Sequence, residues 1–261
     1  MKIGFDHCYM TDQEHSLHSR LKEKIFANSG REVEHPGTQF CRFFMTSNSA
    51  AISASKLQYL ELIDIRDWQA FLKVKGHEQY TDGRWPGLSF TVDCGLEDFY
   101  NAQKDNLEEF GPTFYHKNFA WKKDSVNRLP GWNFLTFDKD PIEHLYIWFT
   151  EYETDPSKQD HITELNNNCI HPSSIASVRE FVFDLNQEQK KCLEKILARP
   201  CENGTFLLDD GIKINCIESS DYNDLPFLRD KVSPYKMVST RVIYLCTKKW
   251  NPCSFCTNFR A

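Results

Sequence analysis

The chain carries an internal repeat, and this repeat constrains its fold more than any other feature. Lys2–Met10 (KIGFDHCYM) is a strand-like run, followed by a polar helical stretch and by strand candidates that end at Leu57–Ile65. Pro86–Cys94 (PGLSFTVDC) begins the same order again, which ends at His144–Tyr152. A third, fainter copy begins near Ile175. Repeats of one supersecondary unit predict a fold that pairs modules, with a ligand cavity between them.

The repeat predicts an α+β fold in which paired βαβββ modules form a curved mixed sheet with helices on its outer face. The two modules span residues 1–67 and 86–153, with a helix at Leu96–Phe110 in the second, and residues 154–170 form a polar linker. Residues 171–261 hold a third, partial module and a C-terminal tail. In that part, Gln187–Ala198 is predicted to be an amphipathic helix, and Asp209-Asp210-Gly211 the turn of a hairpin.

Alternation along the predicted strands assigns their residues to two faces. In the first strand, one face is expected to carry Ile3, Phe5, His7 and Tyr9. In the first strand of the second module, Ser89 and Thr91 point away from the apolar residues that we expect under the helix. In the strand His144–Tyr152, an apolar face formed by Leu145, Ile147 and Phe149 alternates with a face that carries Tyr146, Trp148 and Thr150.

Composition limits the classes of function. The chain is 40% hydrophobic and 26% charged, which is typical of a soluble globular protein. The net charge of -6 argues against nucleic acid or an anionic membrane as the main partner. No apolar run approaches the ~20 residues that span a bilayer, and the N-terminus has no apolar signal core. We therefore expect a cytoplasmic protein. Its oligomeric state is left open, with a homodimer as one alternative.

The ten cysteines are expected to be reduced thiols, since most of them lie singly within apolar strand or helix patterns. Only Cys253 and Cys256 have the spacing of a metal or redox motif. No second pair completes a zinc site, and the motif lies in the C-terminal tail rather than at a strand–helix junction. We assign this pair no role.

Short motifs within the repeat carry a resemblance to a known family. They are Phe5-Asp6-His7 in a first strand, Tyr59-Leu60-Glu61-Leu62 in a fourth, and Pro86–Asp93 in a fifth. Together with the order of elements, they resemble the vicinal-oxygen-chelate superfamily, the fold of glyoxalase I, extradiol dioxygenases and bleomycin-type resistance proteins. His171-Pro172 before a new strand and helix resembles the longer glyoxalase-like proteins, which append a further half-module.

The resemblance implies where a metal would bind. Metal-dependent members take four ligands from the first and fourth strands of each module, and His7 and Glu61 occupy two of these positions. Histidine nitrogen and carboxylate oxygen suit a divalent ion. The equivalent positions of the second module hold Gly87 and Trp148, while Glu151 falls on the wrong face unless a bulge intervenes. We therefore expect no cofactor, with a weakly held divalent metal on His7 and Glu61 as the alternative.

The leading prediction is a glyoxalase-like protein that binds a small organic molecule in the cup of its paired modules. The residues expected to line this cup are His7, Tyr59, Ser89, Thr91, Tyr146, Trp148 and Thr150. Glu61 would be its polar anchor or, in an enzyme, a general base. One alternative is a metal-dependent lyase or oxygenase of the same superfamily. The other is a structural or interaction protein in which these residues are ordinary core packing.

Overall fold

In the residues that it describes, the computed structural model of the protein has thirteen strands, two α-helices and one 3-10 turn. The described residues are 1–12, 33–34, 40–46, 58–64, 67, 69–70, 73, 87–117, 132–142, 145–152, 175–217, 241–247 and 256–259. The helical stretch predicted after the first strand and the linker predicted at residues 154–170 lie outside these ranges. The fold is of the mixed α+β type, rich in strands.

Eight strands form one mixed sheet in the order β2-β3-β4-β1-β5-β8-β7-β6. They are β1 (Ile3–Asp12), β2 (Val33–Glu34), β3 (Phe40–Thr46), β4 (Gln58–Asp64), β5 (Gly87–Val92), β6 (Pro112–Lys117), β7 (Trp132–Phe137) and β8 (Tyr146–Tyr152). Strand β4 runs parallel to β1, and β8 runs parallel to β5. The central strands β1 and β5 are antiparallel and join the two halves of the sheet.

The helix predicted at Leu96–Phe110 is confirmed as α1 (Leu96–Leu107) followed by a 3-10 turn, Glu108–Phe110. Gly111 ends this turn in the left-handed region at φ 66, which a glycine adopts without steric cost. Phe99 of α1 packs on Phe149 of β8, with ring centroids 4.5 Å apart. The helix therefore covers the apolar face of the second half of the sheet.

The third part of the chain forms a second sheet of five strands in the order β10-β11-β9-β12-β13. They are β9 (Ile175–Asp184), β10 (Thr205–Leu207), β11 (Lys213–Ile217), β12 (Arg241–Thr247) and β13 (Cys256–Phe259). The amphipathic helix predicted here is confirmed as α2 (Gln187–Leu197), which begins with a capping box between Asn186 and Gln189. The Asp-Gly hairpin is confirmed by the antiparallel pairing of β10 with β11.

The hydrophobic core lies on the face of the large sheet that α1 covers. Leu145, Ile147 and Phe149 of β8 all belong to it, so the predicted apolar face of this strand is confirmed. Phe5 belongs to it as well, and its ring lies 4.8 Å from that of Phe181 on β9. Full burial of one such side chain stabilises the fold by about 2–3 kcal/mol. Apolar packing therefore joins the second sheet to the first.

A β-bulge in β1 corrects the prediction that Ile3, Phe5, His7 and Tyr9 share one face. Phe5 pairs with Phe90 of β5, but His7 pairs with Ser89, which leaves Asp6 as an extra residue without a partner position. The alternation therefore breaks between Phe5 and His7. Phe5 enters the core, whereas the ring of His7 lies beside that of Trp148. The chain neighbours of Trp148 belong to the core, so the ring of His7 lies on the face of the sheet opposite the core.

Side chains of the turn between β10 and β11 accept hydrogen bonds from the backbone of β1. In the part of the chain that the structure describes, β4 pairs with β1 from His7 onward and not along Ile3–Phe5. Instead, the Ile3 amide donates to Asp209 Oδ2 at 2.7 Å, and the Phe5 amide donates to Asp210 Oδ2 at 2.8 Å. Gln58 Nε2 of β4 donates to the Phe5 carbonyl and to Asp210 Oδ2. Side chains thus satisfy backbone groups that a strand would otherwise pair.

We expect Asp210→Ala to lower the free energy of unfolding by about 2 kcal/mol, because the buried Phe5 amide loses its acceptor and Gln58 Nε2 loses one of its two hydrogen bonds. Urea denaturation followed by circular dichroism measures this change. Asp105→Ala, at an exposed position of α1, is the matched control and should change stability by less than about 0.5 kcal/mol. Equal effects of the two substitutions would contradict the bracing role of Asp210.

Candidate functional site

Four residues lie side by side across the centre of the large sheet and are called the central row. In register they are Tyr59 on β4, His7 on β1, Ser89 on β5 and Trp148 on β8. The chain neighbours of Trp148, Ile147 and Phe149, belong to the hydrophobic core, so the side chains of Trp148, Ser89 and His7 lie on the opposite face of the sheet. The backbone register therefore places four of the predicted site residues side by side on four strands.

Aromatic rings form one end of the central row. The ring of Trp148 meets that of His7 edge-on, with centroids 5.0 Å apart, and stacks on Tyr146 at 5.2 Å. Trp148 is 4% exposed, whereas Tyr146 is half-buried. The indole therefore fills the space beside the imidazole, and the aromatic strip reaches solvent through Tyr146.

Buried hydroxyl groups lie next to these rings. Ser89 Oγ and Thr150 Oγ1 are 2.7 Å apart and hydrogen-bonded, and both residues are at most 1% exposed. Thr91, two residues after Ser89 on β5, is 4% exposed and pairs in register with Gly4. The face opposite the core thus buries polar side chains, which must find hydrogen-bond partners there.

The position of Glu61 is described only through its backbone. Its register partner on β1 is Tyr9, which in turn pairs with Gly87 of β5. Position 61 thus belongs to the row of Tyr9 and Gly87, which lies two residues along each strand from the central row. The side chains of Glu61 and Tyr59 lie outside the described part of the structure, so the roles of Glu61 as anchor, base or metal ligand stay predictions.

Asp6 is the residue that sequence reasoning missed. As the extra residue of the bulge, it brings its carboxylate to the same side as its chain neighbour His7. Asp6 Oδ1 is hydrogen-bonded to His7 Nδ1 and accepts the Tyr152 hydroxyl at 3.0 Å. Asp6 is fully buried, and within the described ranges its Oδ2 has no hydrogen-bond partner. An acidic residue inside an apolar strand was the only sequence signal for this arrangement.

Burial raises the pKa of the Asp6 carboxyl, because an ionised carboxylate loses its hydration there. The hydrogen bond and the charge interaction with His7 act in the opposite direction, as does the hydrogen bond from Tyr152. The desolvation effect is the largest of these. Asp6 is therefore a carboxyl group whose ionised form is costly to the folded protein.

A concave surface lies on the face of the sheet that α1 covers, at the start of this helix. It is a half-open groove of about 500 Å³, lined by Cys94, Gly95, Leu96, Glu97, Asp98, Phe114, Tyr115, His116, Asn133 and Glu151. Glu151 approaches Gly95, since its Oε1 would lie 3.1 Å from a Cβ at that position. The prediction that Glu151 faces away from Trp148 is confirmed, and this carboxylate does not contribute to the central row.

The described ranges contain no group of three or more His, Cys, Asp or Glu residues that could hold a metal ion. The side chain of Glu61 is not among the described side chains, so the metal expectation stays a prediction. Cys8, Cys94, Cys192, Cys201 and Cys216 are free thiols, and burial raises the pKa of Cys216 to about 12. Cys253 lies outside the described ranges.

No protein-family model matches the chain, and no curated protein matches it either. Among the helices that the structure describes, none is both long and apolar enough to cross a membrane.

Asp6→Asn is expected to raise the free energy of unfolding at pH 7 by about 1 kcal/mol, because it removes a buried charge and keeps an oxygen acceptor for His7 and Tyr152. The pKa of Asp6 is higher in the folded than in the unfolded chain, so the folded protein binds more protons between the two values. The wild type therefore loses stability as pH rises through that window. Urea denaturation at pH 4 to 8 should show the advantage of the variant shrinking as pH falls.

The buried hydroxyl pair is expected to give a strong double-mutant coupling. Ser89→Ala or Thr150→Val alone leaves the other hydroxyl without its partner and should cost about 1–2 kcal/mol. The double variant should cost less than the sum of the two single changes by about 1 kcal/mol. Denaturant titration of the four proteins measures the cycle, and strictly additive costs would mean that the hydroxyl–hydroxyl bond contributes nothing.

Proposed function

We propose that this chain is a glyoxalase-like protein of paired βαβββ modules, in which the central row and its neighbours bind a small organic molecule. One observation carries the proposal: His7, Ser89 and Trp148 lie in register across the middle strands, on the face opposite the hydrophobic core. A ligand site needs a few polar groups that converge among aromatic walls. A buried face with hydroxyl, imidazole, carboxyl and indole groups has this chemistry.

The register of the strands supports the alignment of the two modules. Tyr59 pairs with His7 in the first half of the sheet, as Tyr146 pairs with Gly87 in the second half, and both pairs are parallel. Between β1 and β5, His7 pairs with Ser89, Cys8 with Leu88, and Tyr9 with Gly87. The Cys8–Leu88 pair is the middle one of the three. A two-fold axis at this point would exchange His7 with Gly87, and Glu61 with Trp148.

This alignment supports binding without a tightly held metal. Gly87 has no side chain to donate, and the Trp148 ring occupies the space beside the His7 ring. A site built on His7 and Glu61 alone would leave most of the coordination shell to water and bind a divalent ion weakly.

A metal-dependent lyase or oxygenase is the second candidate, and one observation favours it. His7 Nδ1 is hydrogen-bonded to Asp6. A carboxylate on one ring nitrogen is how proteins orient a histidine whose other nitrogen binds a metal. In that case His7 and Glu61 would be the ligands, and a bound ion would polarise a substrate oxygen.

A screen of small organic molecules by thermal shift, followed by calorimetry of the hits, tests the proposal. Glu61→Gln should weaken the binding of a hit about tenfold or more, which is about 1.4 kcal/mol, and leave folding nearly unchanged. Asp105→Asn, at an exposed position of α1, is the matched control and should bind like the wild type.

The outcomes separate the candidates. Absence of any hit would favour the structural or interaction protein, and a hit whose affinity is unchanged in Glu61→Gln would remove Glu61 as the polar anchor. Metal analysis of protein purified without chelator tests the second candidate. Stoichiometric metal that survives dialysis, and is lost in both His7→Ala and Glu61→Ala, would favour the metal-dependent candidate in its place.

A further inference from the structure

Asp6 restricts the class of ligand, and this inference rests on the proposed function. We infer that the molecule bound at the central row carries a protonated nitrogen, as in an amine, amidine or guanidine, which donates a hydrogen bond to Asp6 Oδ2. The structure assigns this role to Asp6 through the arrangement of its two oxygens.

The two oxygens of the Asp6 carboxylate differ in their hydrogen bonds. His7 Nδ1 and the Tyr152 hydroxyl both bind Oδ1, while Oδ2 has no partner among the described residues. Asp6 is fully buried, so bulk water does not reach Oδ2 either. An ionised carboxylate only accepts hydrogen bonds, and a buried acceptor without a donor is rare in native structures. A ligand N–H group supplies the missing donor.

The negative charge of the Asp6 carboxylate also favours a cationic ligand. Within the described part of the chain, the ionisable groups that act on Asp6 are His7 and Tyr152, and no lysine or arginine makes an ion pair with it. A tyrosine hydroxyl is neutral, so no permanently charged cation among the described residues balances the carboxylate. A buried charge is retained when a partner of opposite charge also makes a hydrogen bond with it. A protonated nitrogen does both, whereas an anionic ligand would be repelled.

Aromatic side chains of β8 lie beside the Asp6 carboxylate. Along β8, the side of the strand that faces away from the core carries Tyr146, Trp148, Thr150 and Tyr152. Trp148 stacks on Tyr146, and the faces of such rings attract cations. Tyr146 and Tyr152 are half-buried, so the strip reaches solvent at both ends. The Tyr152 hydroxyl donates to Asp6 Oδ1, so the half-buried Tyr152 side chain contacts both the carboxylate and solvent.

Three probes of one shape test the inference: benzamidine, which is a cation at neutral pH, neutral benzamide and anionic benzoate. Calorimetry on the wild type should detect benzamidinium binding, with benzamide at least about tenfold weaker and benzoate not bound. Asp6→Asn keeps the size of the side chain and removes its charge. It should weaken benzamidinium binding at least about tenfold and change benzamide binding less than about twofold.

A second acidic surface needs its own control, since the groove at the start of α1 carries Glu97, Asp98 and Glu151. Glu151→Gln should leave benzamidinium affinity unchanged, and Trp148→Phe should weaken it. The opposite pattern would place the cation in the groove and overturn the inference.

Equal or tighter binding of benzamide or benzoate, absence of benzamidinium binding, or an unchanged affinity in Asp6→Asn would each overturn it. The order of the three probes on the wild type decides even if Asp6→Asn does not fold. A neutral or anionic hit from the wider screen that depends on Glu61 would overturn the cation inference and keep the proposed function. A screen without any hit would reject both.

Discussion

The β-bulge at Asp6 is the feature on which the rest of the site depends. It divides β1 into a part that serves the core, through Phe5, and a part that serves the opposite face, through His7. With strict alternation both rings would lie on one face. The extra residue turns His7 toward Trp148 and brings the Asp6 carboxylate beside it. One additional residue thus creates a buried polar pair at the centre of an otherwise regular sheet.

The second sheet holds the strand that carries this bulge. The Asp209-Asp210 turn binds the backbone of β1 on the N-terminal side of the bulge, and Phe181 packs on Phe5 from the same direction. Strand β4 begins its pairing with β1 only at His7. The third part of the chain therefore braces the segment that β4 leaves open. Burial raises the pKa of Asp210 as well as that of Asp6, so two carboxyl groups that are costly to ionise lie at the Phe5 end of this segment.

This cost has a bearing on function. A buried carboxyl lowers the stability of the folded protein when one of its oxygens has no donor, as Asp6 Oδ2 has none among the described residues. A hydrophobic or amide side chain would avoid most of this penalty. Proteins keep such groups where an activity requires them, at the expense of stability. Asp6 fits this pattern better than Ser89 and Thr150, which satisfy each other through their own hydrogen bond. The carboxylate, rather than the hydroxyl pair, is the group that a ligand would complete.

The sequence by itself determined what depends on near neighbours in the chain. The apolar face of β8, the helix that ends at Gly111 and the Asp-Gly hairpin follow from periodicity and turn chemistry, which are local. Tertiary structure decided the face of His7 and the roles of Asp6 and Asp210. A bulge exists only relative to the partner strand, and Asp210 binds a residue more than 200 positions away. Neither relation leaves a periodic mark in the sequence, because each arises when distant segments meet.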